Sequence, residues 1–363
     1  MQCDAYGVAQ IAFDIPTQAM SSSTPKLRPM TAGDILDQAI RIYRYNFVPL
    51  VIIVAIVSAP IAILQVIAEV LAFPLGGLFG TNTTDAVNNF DTPLQLLGQA
   101  IRILAALIAA VAALFQNGAI TAFVSERFLG RAITVRQAYG RAFRRWLSLL
   151  LAAFLVGLLY AAVLGIIFGV WLVPLFGFAL AGTNLDSVTS GIFGALTLLL
   201  CCLFVPAMVI LIFFNTRWAF FIQAIVLENF NSTGGLGRSW KLVKGSFWRV
   251  MLMVFVLIII VYAFSTGPIL LVSFGALALA SPILLAVANT IISSLIQIVM
   301  TPLQFAALTV LYYDLRIRKE GFDLEMQMAN LPPAPTQAIP PAPAADAPSD
   351  VPPPQARDDS LPQ

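Results

Sequence analysis

The sequence predicts an all-α polytopic membrane protein: six transmembrane helices as three hairpin repeats, each preceded by an interfacial amphipathic helix. Three observations predict it. Hydrophobic residues make up 59% of the 363 and charged residues only 10%. A soluble domain carries roughly 25% charged residues, so this chain cannot cover a water-facing surface. Six apolar runs reach the roughly 20 residues that cross the hydrocarbon core as helix. Finally, the basic residues fall on alternate connections.

The runs lie near 47–73, 98–124, 147–173, 193–227, 250–275 and 284–312. Of the 20 Lys and Arg, 18 lie before the first run, after the last, or between the second and third and the fourth and fifth runs. The connections near 74–97, 174–192 and 276–283 hold none. Positive loops stay on the cytoplasmic side, so both termini are expected inside, in a bacterial cytoplasmic membrane. Arg102 and Arg217 are the two basic residues inside apolar runs. Residues 1–30 have no apolar stretch of signal-peptide length and are expected to be a disordered segment. The membrane domain is expected over 31–326. Residues 331–363 read "LPPAPTQAIPPAPAADAPSDVPPPQ" onward, a Pro/Ala-rich cytoplasmic tail expected to be disordered with polyproline-II character.

The repeat begins with the interfacial helices. In "TAGDILDQAIRIYRYNF", Leu36, Ala39, Ile40, Tyr43 and Phe47 recur at helical spacing, and Thr31 with Asp34 suits an N-terminus. In "TVRQAYGRAFRRW", Thr134 and Gln137 match a capping box, and Val135, Ala138, Ala142 and Trp146 form the stripe. In "LGRSWKLVKGSFWRV", Leu236, Trp240, Val243 and Phe247 do so. The anchors Phe47, Trp146 and Phe247 stand 99 and 101 residues apart. Every second run ends on an acid, at Glu126, Glu228 and Asp314, with basic residues following. Such helices lie in the interface with Arg and Lys toward anionic lipid. Arg41, Arg44, Arg141, Arg144, Arg145, Arg238, Lys241 and Lys244 are therefore candidate headgroup contacts.

Each even run also carries a polar break: Gln116-Asn117, then Asn215-Thr216-Arg217, then Thr301 and Gln304. Counted from Glu228, Arg217 lies about 16 Å deeper along a continuous helix. A charge at that depth is a functional candidate. The competing reading ends the span near Asn215 and leaves Arg217 at the interface. Thr290, Ser294, Gln297, Thr301 and Gln304 share one face of the last helix and serve either close packing or a polar cavity. Gln116, Asn117, Arg217, Gln297, Thr301 and Gln304 form the candidate intramembrane cluster, with Arg217 expected to face the interior and bond to polar partners there.

The chemistry of catalysis is thinly represented. Histidine is absent, which excludes His-based acid–base chemistry and most zinc enzyme sites. Cys3, Cys201 and Cys202 imply no disulfide framework. "NSTGGLGRSWK" is Gly-rich but lacks GxxxxGK[ST]. Neither a catalytic residue nor a cofactor or metal is expected, and a net charge of +2 suggests no nucleic-acid partner.

"LRPMTAGDILDQAIRIYRYNF", "AIVLENFNSTGGLGRSWKLVKGSFWRV" and "LYYDLRIRKEGFDLE" resemble the bacterial integral-membrane family named for the membrane domain of glycerophosphoryl diester phosphodiesterase. The resemblance covers roughly 27–326. In enzyme members of that family catalysis belongs to a separate soluble barrel with histidines and metal-binding carboxylates, so the resemblance implies no hydrolase activity for this chain. The expectation is a non-enzymatic module, a scaffold or lipid-interacting component whose partners are membrane lipids. The alternative is a transporter or permease-like component with a polar path near Arg217.

Overall fold

A computed structural model describes residues 29–72, 93–181, 187–278 and 282–329, and every element in them is helical. The expected N-terminal segment, the Pro/Ala-rich tail and most of the connection after the first run lie outside the described residues. In chain order the helices are α1 (Ala32–Tyr45), α2 (Phe47–Ala72), α3 (Pro93–Phe128), α4 (Val135–Arg144), α5 (Trp146–Ala181) and α6 (Ser187–Arg217). They continue as α7 (Phe221–Leu227), α8 (Ser232–Val243), α9 (Phe247–Ala278), α10 (Pro282–Glu320) and α11 (Phe322–Ala329). The chain divides at Phe322 into two compact units, and the elements below belong to the first. Six stretches, on α2, α3, α5, α6 with α7, α9 and α10, are long and apolar enough to cross a membrane.

α1, α4 and α8 each precede a spanning helix. Thr31 and Thr134 cap α1 and α4 through complete capping boxes: each threonine hydroxyl accepts the N–H three residues on, at 3.2 and 3.3 Å. The Asp34 and Gln137 side chains bond back to the cap N–H groups at 2.9 and 3.1 Å. Satisfying two otherwise orphaned N–H groups at each start fixes where the helix begins. One residue, Asn46 or Arg145, separates α1 from α2 and α4 from α5. Between α8 and α9 the break holds Gly245 at φ +84°, which a side chain would strain.

The buried stripes differ in part from those expected. α4 buries Val135, Ala138 and Ala142, whereas Trp146, expected on the same stripe, is 45% exposed. In α1 the buried residues are Ile35, Ala39 and Ile42, whereas Leu36, Ile40 and Tyr43 are half-buried and Phe47 is 42% exposed. In α8 the buried residues are Gly235, Ser239, Leu242 and Val243, with Leu236 and Trp240 only half-buried. An interfacial helix has two apolar neighbours, the protein on one side and lipid on the other. A hydrophobic stripe alone does not say which one it meets.

Consecutive spanning helices pack on each other: α2 on α3, α5 on α6, and α9 on α10. α10 also lies against α1, α2 and α3. Between 11% and 39% of each candidate span is buried within the protein, so most of the apolar surface faces outward. Packing is densest where the basic residues gather. There Ala122, Leu149, Ala152, Ile222, Ile225 and Val226 form one cluster joining α3, α5 and α7. Phe123, Phe220 and Tyr312 are among the largest fully buried side chains.

The Gly-rich segment is explained by close helix approach. A Cβ on Gly235 would sit 2.5 Å from Ile225 Cγ1 and 3.6 Å from the Phe221 carbonyl. α8 thus rests on α7 at a distance only glycine allows. Gly235→Leu is expected to lower the stability of the detergent-solubilised protein by about 1–3 kcal/mol through overpacking. Gly237, where an added Cβ meets nothing within 4 Å, should tolerate alanine. Equal melting of the two variants would contradict this packing.

Candidate functional site

The acids that end the even runs organise the basic end of the bundle. Asp314 is fully buried. Its Oδ1 accepts the Met30 N–H at 2.7 Å, and Arg318 Nε donates to Oδ1 and Oδ2 at 3.1 and 3.0 Å. Arg249 Nη2 lies 2.9 Å from Oδ2. Arg249 and Arg318 also donate to the Met30 carbonyl, the latter at 2.6 Å. The strand of chain entering α1 is therefore clamped to the ends of α9 and α10. A buried carboxylate surrounded by two guanidinium groups and an amide meets the condition under which burying charge is tolerated.

Glu228 sits where the chain turns, one residue before Asn229 at φ +59°. Asparagine tolerates that left-handed conformation better than most residues. The reversal brings α8 back alongside, and Arg238 donates to Glu228 through Nε and Nη2 at 2.7 and 3.0 Å. Arg238 also bonds Glu320 through Nη1 and, at 2.6 Å, through Nη2. The Tyr312 hydroxyl donates to Glu228. Arg316 Nε lies 3.3 Å from carboxylate oxygens of both acids. Glu320 and Glu228 raise the Arg238 pKa above the ordinary arginine value, with burial opposing them, so this guanidinium stays charged at any working pH.

Glu126 repeats the pattern on α3 and α4. It accepts from Arg141 Nη1 at 2.5 Å, and Arg131 lies 4.0 Å away. Neighbouring Ser125 shares a 2.6 Å hydrogen bond with the Tyr313 hydroxyl. α1 and α4 are tied down further by tyrosines. Tyr43 donates to the Val299 carbonyl at 2.9 Å and Tyr139 to the Ile53 carbonyl at 2.5 Å. Burial pushes the Tyr139 phenol up to about 12, so it keeps its donor proton.

The candidate headgroup contacts separate into two groups. Arg141 and Arg238 are occupied by Glu126, Glu228 and Glu320, and Arg145 Nε donates to Asn229 at 3.1 Å. Arg41, Arg44, Arg144, Lys241 and Lys244 are exposed and reach no acid among the described residues.

The candidate intramembrane cluster does not assemble. Gln116 accepts from Ser58 on α2 at 3.1 Å. The Asn117 Oδ1 is buried without a partner. Gln297 is exposed, and Thr301 and Gln304 are half-buried. Within the stripe the Ser294 hydroxyl donates back to the Thr290 carbonyl at 2.7 Å, an internal helix bond.

Arg217 is the last residue of α6, followed by a turn and α7. The continuous helix assumed in placing it near mid-membrane is therefore broken. α6 alone is about 46 Å long at 1.5 Å per residue, enough to cross without the segment beyond. Its expected polar partners are replaced by rings: the guanidinium carbon lies 5.2 Å from the Phe213 centroid, 4.7 Å from Trp240 and 5.6 Å from Phe247. Ser239 completes the corner, donating to the Arg217 carbonyl at 2.8 Å and accepting the Phe220 N–H at 3.1 Å. Arg102, the other basic residue within a run, pairs with Glu69 at 2.6 Å.

The family model described as Domain of unknown function (DUF7847) matches residues 30–315. The chain belongs to this family. The match starts at Met30, the residue clamped by Asp314, and runs to the residue after that acid. No curated protein and no solved structure matches the chain. Within the DUF7847 region, no group of His, Cys, Asp or Glu among the described residues is placed to hold a metal ion.

Reading the sequence alone missed Tyr312 and Glu320. Tyr312, Arg316 and Glu320 are spaced four apart, as Asp314 and Arg318 are, and that spacing carried the signal. Ser239 left none, because a small polar residue on an amphipathic helix reads as surface.

Proposed function

We propose that this DUF7847 chain is a non-enzymatic lipid-interacting module of the bacterial cytoplasmic membrane, built from three related units and working at its cytoplasmic leaflet. The observation that carries this reading is the division of labour among its basic residues. The arginines nearest the core neutralise Glu126, Glu228, Glu320 and Asp314. Arg41, Arg44, Arg144, Lys241 and Lys244 remain exposed, beside the exposed rings of Tyr45, Phe143, Trp146 and Trp248. Cations next to aromatics on interfacial helices match what an anionic headgroup layer offers.

The three-unit reading draws support from the acids. Glu126 and Glu228 each accept an arginine from the interfacial helix that follows, α4 or α8. Asp314 instead accepts the N–H of Met30 in the chain entering α1. The third acid thus closes on the first unit. The segments resembling the glycerophosphoryl diester phosphodiesterase membrane domain supply Glu228, Arg238, Arg249, Asp314, Arg316, Arg318 and Glu320 to this charged layer. A transporter would need Arg217 joined to the α10 stripe, and the aromatic setting of Arg217 argues against that path.

The test is extraction of the protein with its surrounding lipid from mixed phosphatidylglycerol and phosphatidylcholine membranes, followed by lipid analysis. A variant with Arg41, Arg44, Arg144, Lys241 and Lys244 all changed to Gln should lose the phosphatidylglycerol enrichment of the wild type. Each cation near an anionic leaflet contributes about 1 kcal/mol. Equal enrichment in both would refute the reading.

A further inference from the structure

We infer that Arg217 holds the phosphate of one anionic phospholipid headgroup, bound at the corner where α6 ends against α8 and the start of α9. The inference rests on the lipid-interacting reading and goes further, naming a discrete site that the exposed basic rim does not include.

The argument starts from charge compensation. Arg141, Arg238, Arg249, Arg316 and Arg318 each meet a carboxylate. Lys319 donates to the Leu242 and Lys244 carbonyls at 2.7 and 2.5 Å. Arg217 reaches no acid among the described residues, and its buried Nε and Nη1 make no hydrogen bond there. The rings of Phe213, Trp240 and Phe247 around it and the α6 C-terminus favour the cation but give the enclosed Nε and Nη1 no hydrogen-bond acceptor. An anion at the open edge of the guanidinium compensates its charge.

The surroundings select which anion. Lys319 bonds carbonyls of Leu242 and Lys244, which lie in the chain between the Trp240 and Phe247 rings that flank Arg217, so two cations gather at this corner. Lys319 has three donors and uses two on carbonyls, leaving one N–H. Arg217 as a residue is half-exposed while Nε and Nη1 are enclosed, so its open edge is Nη2. A phosphate oxygen accepting from Nη2 and from Lys319 would form charge-assisted bonds, the strong kind. Trp248, 74% exposed, stands next to Phe247 with ring centroids 5.8 Å apart and offers an apolar wall for the glycerol and upper chains. Rings and cations at the end of a spanning helix fit a lipid headgroup better than a freely diffusing anion.

The experiment is native mass spectrometry of the full chain in neutral detergent, titrated with phosphatidylglycerol, phosphatidylcholine or inorganic phosphate. One tightly retained phosphatidylglycerol per chain is expected, with phosphatidylcholine held at least about tenfold more weakly. Arg217→Gln and Lys319→Gln should each weaken phosphatidylglycerol about tenfold, and Arg217→Lys only about threefold. Melting curves identify variants that fail to fold. If Arg217→Gln is one of them, folded Lys319→Gln decides. Retention equal to wild type in a folded Arg217→Gln or Lys319→Gln variant overturns the site. So does inorganic phosphate binding as tightly as phosphatidylglycerol, which would make the ligand a free anion. Neither result touches the basic rim, whose failure is read separately from the lipid co-extracted with the rim variant.

Discussion

Asp314→Asn is expected to be the most damaging conservative change in the protein, lowering stability by about 3–5 kcal/mol. Asparagine keeps the size and can still accept the Met30 N–H, now 2.7 Å from Oδ1. It removes the negative charge from a fully buried site that Arg249 and Arg318 both occupy. Two guanidinium groups then face each other without compensation, the situation in which breaking a buried pair costs most. The Met30 clamp should loosen as well, because both arginines that hold its carbonyl are positioned by Asp314. Thermal unfolding in detergent gives the stability, and proteolysis ahead of residue 30 reports the clamp. Wild-type melting with unchanged protection would mean that Asp314 is not the anchor described.

The second large effect is expected at Arg238. Its guanidinium joins Glu228 to Glu320, and so α8 to the end of α10, with four hydrogen bonds to the two carboxylates. Arg238→Met preserves much of the side-chain volume but leaves both acids to Arg316, which already reaches each through Nε. A loss of about 3 kcal/mol is expected, since an acid with its partner removed keeps its desolvation penalty. Arg238→Lys should recover only part of it, because an ammonium cannot match two carboxylates with the planar fork of arginine. A double-mutant cycle with Glu320→Gln isolates the pair. Additive losses would show that the two side chains do not act together.

Arg217 shows how far sequence reading reaches. Its position inside an apolar run was visible, and so was the choice between depth and interface. The choice itself turned on whether the helix continues past residue 217. Nothing in "NTRWAFFIQ" breaks a helix by composition, since it has neither Pro nor Gly. The break is held by Ser239 on α8, 22 residues after Arg217 and 19 after Phe220, through bonds to the Arg217 carbonyl and the Phe220 N–H. A partner that distant in sequence has no local signature. The same holds for α1, where one turn of the hydrophobic pattern suits either the core or the lipid. Packing against α10 settled it in favour of Ile35, Ala39 and Ile42.

By itself the sequence determined the membrane class, the number of apolar helices, the capped starts of α1 and α4, and the gathering of charge at alternate connections. These follow from hydrophobicity, helical period and caps, which act over a few residues and leave their mark locally. Only the tertiary structure decided which arginine meets which acid, that Arg217 lies among rings and apart from Gln116, Asn117, Gln297 and Thr301, and that Met30 is clamped to Asp314, 284 residues away. Those outcomes depend on directional bonds between distant segments. Several arginines lie within reach of each acid along the chain, and the packed helices alone select the pair that is made.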